Sequence, residues 1–544
     1  MKTDDLVNYS KNNIPAGLIL FLLLISTGLK TEAQSRFPVV QVYSGNSSYI
    51  NEPSICINPK NLNQIVAGSV LNDYYYSSNG GVSYVHGTLS CSYGVWGDPA
   101  IIVDTSNNFY YLHLSYPSGG GWWIDRIVCQ KSTNGGQTWS DGSYMGWNTN
   151  PKKQDKAWGA VDRSNNNIYV TWTQFDEYGT SNSADSSVIL FAKSTDGGLN
   201  WTNPATRISR RAGDCTDDDN TDEGAVPCVG PNGEIYVSWA GPLGLMFNRS
   251  LDHGNTWVDS NIFVTTIPYG WNYLIPGIDR SNGMPVTCCD ISNGTYHGNI
   301  YINWSDQRNG TTDTDIWFVK STDSGLHWSM PQRVNDDPPG KQQFFTWMSV
   351  DQVTGYIYIV FYDRRNYSNT QTDVYMAVSR DGGMTFENMR ISQAPFTPNS
   401  GCFFGDYTNI IACNNIVRPI WGTLSGSNTK TIYSAIIDSL YAATITWVGG
   451  VSNAWNNPWN WSPRAIPSSI QNVVIPEIPL SNSYPEINLN GLSCNNLTIC
   501  KNASLIVQSG ISLTVNGSLF LLNTSASMIT GKIKVNGSVE TEKP

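Results

Sequence analysis

An all-β protein, a ring of repeated β modules followed by a smaller β module, is what the sequence predicts, on three observations. Only 14% of the 544 residues are charged, while Gly (49), Trp (20) and Tyr (28) are abundant; short strands and many turns have that composition. An octet recurs six times: Ser, any residue, Asp or Asn, any, Gly, two variable positions and an aromatic. It runs Ser77–Tyr84, Ser132–Trp139, Ser194–Trp201, Ser250–Trp257, Ser321–Trp328 and Ser379–Phe386. Between the octets a strand–turn–strand pattern occurs seven times, as in Ile168-Tyr169-Val170-Thr171-Trp172 and Ile235-Tyr236-Val237-Ser238-Trp239, with the period-two alternation of half-buried strands.

Each element has a physical reading. In the octet, Asp or Asn caps its own backbone two residues on, Gly supplies a positive φ, and the closing aromatic folds back to bury its ring on the blade. Regular spacing of such units marks a repeat architecture. Seven hairpins against six octets favour seven modules, with six and an insertion as the alternative. The last hairpin lacks an octet, and the N-terminal Phe37–Val42 stretch is placed to pair beside Thr431–Ile437, which closes the ring and removes its exposed edges. Upstream, Lys11 precedes the apolar run Ala16–Ile25, and Thr31-Glu32-Ala33 ends in small residues. Residues 1–33 therefore read as an export signal, too short to span a bilayer. The expectation is a secreted protein, extracellular or at the cell surface, with no integral membrane span.

The octets resemble the Asp-box of sialidases, the turn between the third and fourth strands of a β-propeller blade. That resemblance covers about residues 37–440. It implies an Asp-box β-propeller over 34–440, with the boxes on the bottom face and functional loops on the top. It implies the activity less well, because one fold hosts many activities. Residues 441–544 form a second module, opened by Trp447, Trp455, Trp459 and Trp461 and rich in Asn, Ser and Leu. It resembles the solenoid-like β modules of secreted Bacteroidota proteins; a β-solenoid or a β-sandwich is expected.

Two sets of candidate site residues follow. One lies just before or at the start of the inner strands: Glu52, Asp98, Asp155 with Lys156, Asp222 with Glu223, and Asp406. In a ring these face the central channel, and Asp98, Glu223 and Asp406 are the candidate catalytic acids and bases. The other set follows the second strands. Asp306 with Arg308 and Asp363 with Arg365 stand in register one module apart, and Arg binds carboxylates in bidentate fashion. Trp122, Trp123 and Tyr178, with Tyr116 nearby, are candidates for stacking on sugar rings. Sialidases bind with an Arg triad and react through a Tyr–Glu pair and an Asp acid/base. Arg308 and Arg365 match two triad positions and Arg418 is the third candidate. The early Arg-Ile-Pro motif of that family is absent, Arg36-Phe37-Pro38 being its nearest echo. The expected function is thus sialidase-like release of a terminal acidic sugar from extracellular glycans. A non-catalytic glycan binder, a lyase or another glycosidase on the same scaffold are the alternatives.

The remaining features bound this reading. A net charge of −11 and the lack of basic clusters exclude nucleic acid as a partner. No Cys or His spacing suits zinc, and no cofactor is required. The run Asp217-Asp218-Asp219 is a candidate for a structural Ca2+. Among eleven cysteines the local pairs Cys215–Cys228, Cys402–Cys413 and Cys494–Cys500 are candidate disulfides, and the odd count leaves at least one thiol over. A monomer is expected.

Overall fold

Seven antiparallel sheets, six of four strands and one with a fifth short strand at Ile437–Asp438, stand around a central channel in the computed structural model, which describes residues 35–45, 50–117, 123–425, 429–481, 483–522 and 532–541. The segment read as an export signal lies outside the described residues. Blades 1 to 6 begin with inner strands at Ser54–Ile57, Gly97–Val103, Lys153–Val161, Glu223–Val229, Val286–Cys289 and Gln343–Val350, and each meanders outwards through three further strands. Blade 7 takes three strands from Asn409–Cys413, Ile416–Ser425 and Thr429–Ala435, and its outermost from the other end of the propeller, Val39–Gly45. The ring is seven-bladed, and the missing seventh octet is explained: its blade has no third-to-fourth turn in the chain.

The octets form the third-to-fourth turns. In all six, the Ser Oγ accepts from the amide of the second Gly position at 2.9 Å. In the fourth, Ser250 Oγ donates to Asp252 Oδ1 at 2.8 Å, and Asp252 Oδ1 accepts from the Thr256 amide at 2.8 Å. Where the closing aromatics land differs from the expectation. Three pack on the third strand of the blade before: Trp257 on Phe191, Trp328 on Phe247 and Phe386 on Phe318, edge to face at 4.9, 5.0 and 5.2 Å. The glycine permits this. A Cβ on Gly254 would stand 2.5 Å from the Phe191 ring. Trp139 meets both Tyr74 of the blade before and Tyr111 of its own, at 5.8 and 5.6 Å. The first octet reaches blade 7 through Arg418, whose Nε donates to Gly80 O at 2.9 Å and whose Nη2 pairs with Asp438 at 2.8 Å. Arg418 is therefore a bottom-face clamp in the ring, not a member of a substrate triad.

Residues beyond 441 build a parallel β-solenoid. One ladder runs Thr444–Trp447, Asn472–Ile475, Leu497–Ile499, Leu519–Leu521 and Val539–Thr541, and a second runs Leu492–Cys494, Ser512–Val515 and Lys532–Val535. Trp447, Trp455 and Trp461 pack edge to face at its start, with ring centroids 4.8–4.9 Å apart. Ile466 donates to Arg36 O at 2.9 Å, tying the solenoid to the propeller's N-terminal strand. Cys215, Cys228, Cys413, Cys494 and Cys500 are all thiols, so none of the three expected local disulfides forms. No helix among the described residues is long and apolar enough to cross a membrane.

Gly254 and Gly179 separate packing from backbone strain. Both have left-handed φ (+78° and +80°), but a Cβ at Gly179 meets nothing within 4 Å. Gly179→Ala should cost about 1 kcal/mol, and Gly254→Ala at least about 1 kcal/mol more through the clash with Phe191. Thermal denaturation of the two variants measures the difference.

Candidate functional site

The inner strands do not enter the channel as regular strands. Blades 2, 3, 4 and 6 each carry a bulge at the top, between Gly97 and Ala100, Asp155 and Trp158, Glu223 and Val226, and Phe344 and Trp347. A left-handed residue sits in each: Asp98, Lys156, Gly224 and Phe345. Glu52 takes the same conformation just before the blade 1 strand. Non-glycine residues avoid positive φ unless the surroundings over-determine it, and bulges re-aim side chains. Here Glu52, Asp98 and Lys156 are turned to the axis.

Lys156 is the hub. Its ammonium lies 2.5 Å from Asp406 Oδ2 of blade 7 and 3.6 Å from Asp98 Oδ2 of blade 2. Arg280 grips the same Asp406 with Nε and Nη2 at 2.8 and 2.5 Å and lies 3.9 Å from Asp217. The Asp406 amide donates to Glu52 Oε1 at 3.0 Å. Asp217 accepts from the Tyr178 hydroxyl at 2.5 Å, and Glu223 is fully buried with both carboxyl oxygens free of hydrogen-bond partners. Below this well Trp158, Trp347 and Tyr407 meet across the channel at 5.5–6.0 Å between ring centroids.

These contacts split the acids into two kinds. Burial would raise Asp406, but Lys156 and Arg280 outweigh it and hold its carboxyl down at about 2. Burial also opposes charge on Lys156, and Asp406, Asp98, Asp155 and Glu52 override that to keep it protonated. Glu223 goes the other way, pushed well above the carboxylate range by burial and by Asp217. Glu52 is raised by burial, Asp98 and Asp406, and burial lifts Asp155 to about 8. A buried ionised carboxylate beside buried protonated ones is how a site assigns acid and base roles.

Aromatic side chains stand beside the well on blades 2 and 3. Trp96 stacks on Tyr116 at 4.9 Å, Trp123 meets Trp96 edge to face at 5.6 Å, and Tyr178 meets Trp123 at 5.8 Å. Trp96 and Tyr116 keep 36% and 49% of their surface exposed, enough to receive a ligand. Tyr178 joins this wall to the well through Asp217.

The structure thus brings Asp98, Glu223 (through Asp217) and Asp406 to one place, with Trp123 and Tyr178 on the adjoining wall; Trp122 lies outside the described residues. Arg308 and Arg365 are engaged elsewhere. Arg308 binds its own Asp306 through Nε and Nη2 at 2.9 and 2.6 Å and lies over the Trp317 ring at 4.4 Å. Arg365 does the same with Asp363 at 2.8 and 2.7 Å, adds Asp336, and covers Tyr375 at 4.2 Å. In the acidic run, Asp218 and Asp219 accept from Asn272, and among the described residues no three His, Cys, Asp or Glu side chains are arranged to hold a metal. Arg280 escaped the sequence reading. It comes from the connection between blades 4 and 5, where Asn272–Tyr273 pairs with Ser281–Asn282. The longest octet spacing, from Ser250 to Ser321, is the signal that marks this insertion.

The class this architecture defines is a seven-bladed β-propeller carrying a parallel β-solenoid. A family described as a domain of unknown function (DUF8693) matches residues 446–543, within the solenoid. No curated protein matches the sequence. Among solved structures, the Hadza microbial sialidase Hz136 is similar with 13% identity and a TM-score of 0.39, over 70% of this chain and 75% of that one. Trypanosoma rangeli sialidase in complex with the inhibitor DANA is 14% identical, with a TM-score of 0.36, over 65% of this chain; the match spans only 56% of that enzyme. YCF48 bound to D1 peptide is 11% identical, with a TM-score of 0.39, over 73% of this chain and 94% of that one. Likeness at this level carries no argument about what the chain does.

Two raised carboxyls give the fold a pH signature. Asp155 and Asp222 both titrate near pH 8, raised mainly by burial. Each holds a proton in the folded state that the unfolded chain releases near pH 4. Their stabilisation is complete below about pH 4 and is lost as pH rises to 8, by up to about 1.4 kcal/mol per pH unit for each group. Asp406 acts oppositely: its contribution is present above about pH 4 and is lost as pH falls towards 2. The melting temperature should therefore decline from about pH 5 to pH 8, and Asp155→Asn with Asp222→Asn should flatten that decline.

Proposed function

We propose that the top-face well and its aromatic wall form a glycan site, and that the protein hydrolyses glycosidic bonds there by carboxyl acid–base chemistry. The observation that carries this reading is Glu223: fully buried, without a hydrogen-bond partner and held protonated beside Asp217. A carboxyl in that state can protonate a leaving glycosidic oxygen. Ionised Asp406, bound by Lys156 and Arg280, is the second carboxyl of the pair such chemistry uses. Trp96, Tyr116 and Trp123 offer the flat apolar faces on which sugar rings stack. Extracellular glycans as partners go with the export expected from the N-terminal segment.

The sialidase-type reading, release of a terminal acidic sugar, needs guanidinium groups free to take a carboxylate. Arg280 at the well is the candidate, its side chain 46% exposed, but it must give up part of its bidentate grip on Asp406. The Arg308–Asp306 and Arg365–Asp363 pairs argue for rigid top loops instead. A non-catalytic glycan binder is the second reading, favoured by the buried Lys156–Asp406–Arg280 network, which occupies most of the well with internal ion pairs.

Hydrolysis of a panel of fluorogenic glycosides, a sialoside included, tests this. Glu223→Gln should lower kcat by 100-fold or more with binding retained, and Arg308→Ala with Arg365→Ala should leave kcat unchanged. Glycan binding without hydrolysis, lost in Trp123→Ala, would establish the binder. Neither hydrolysis nor binding by the folded protein would sink both readings.

A further inference from the structure

Cys228 and Cys289 lie on the inner strands of neighbouring blades 4 and 5, whose backbones come within 8 Å of each other in Cα. Side chains alternate along a strand, and the pleat decides which thiols can meet. Cys228, opposite Tyr236, packs against the apolar cluster between blades 4 and 5, and Cys289, opposite Ile300, belongs to that cluster. Cys288 points the other way, its thiol 3.4 Å from Met348 O in blade 6. Cys215, the partner expected from sequence for Cys228, sits instead in the top loop, where its carbonyl accepts from Gly179. Burial raises the Cys228 thiol, and the neighbouring Cys289 and Cys288 raise it further. Both residues line the cavity that the inner strands enclose.

We propose that Cys228 and Cys289 are an inter-blade redox pair that closes to a disulfide across the junction of blades 4 and 5. The co-reactant is an organic disulfide. One thiol loses its proton and attacks a sulfur of that disulfide, expelling one thiolate. The second thiol loses its proton and attacks the resulting mixed disulfide, expelling the other. Two thiols of the protein are oxidised by two electrons, and the co-reactant leaves as two thiols. The bond joins the two blades between which the Asn272–Asn282 hairpin and Arg280 emerge.

Treating the full chain with oxidised glutathione, blocking remaining thiols and mapping peptides without reduction tests the pair. The expected product is a Cys228–Cys289 crosslink, retained in Cys288→Ser and lost in Cys228→Ser and in Cys289→Ser. Reduction should lower the melting temperature by several degrees. A crosslink from Cys228 to Cys288 or Cys215, or both thiols still open after oxidation, overturns the proposal. The wild-type map decides even if a serine variant does not fold.

Discussion

Val39–Gly45 pairs along Thr429–Ala435, and the geometry at the axis rests on that closure. Each blade alone is a twisted sheet with an exposed edge and two apolar faces. Seven of them leave no free faces only when the last meets the first. Here the last blade is assembled from both ends of the propeller sequence, and Arg418 seals the same junction from below by holding the first octet turn. With the ring closed, the inner-strand bulges are forced to point at one another. The charged well follows from that convergence more than from any single residue.

Placing so much charge at the axis opposes folding. A buried ion pair gains little once the loss of water is counted, and an unpaired buried charge is costly. The structure meets this in two ways. Lys156 and Arg280 share Asp406, and Asp98 and Asp217 stand beside them to balance the second positive charge. Glu52, Asp155 and Glu223 are pushed towards the protonated form, chiefly by burial. The well is thus strained in backbone, desolvated and mixed in protonation state.

Much of this was legible in the chain. The octets revealed the turns, and the seven strand pairs gave the blade count and the closing strand. The position of Glu52, Asp98, Asp155, Glu223 and Asp406 just before or at the start of the inner strands already marked the axis. These signals are local: a turn needs its Gly and Asp at fixed offsets, and a half-buried strand needs alternation.

What stayed hidden depends on distance across the ring. Nothing near Arg280 in sequence tells that it reaches Asp406, and nothing near Arg308 tells that its own Asp306 claims it first. Three of the octet aromatics pack on the preceding blade, which only the radial stacking of sheets reveals. Cys228 packs on the apolar cluster that holds Cys289, away from Cys215 in the top loop, because the pleat sets direction while sequence spacing sets only separation. The sequence by itself determined the repeat, the turns and the kinds of group sent to the axis. The tertiary structure alone decided which charges pair there and which stay unpaired, because burial and ion pairing depend on neighbours that different blades bring together.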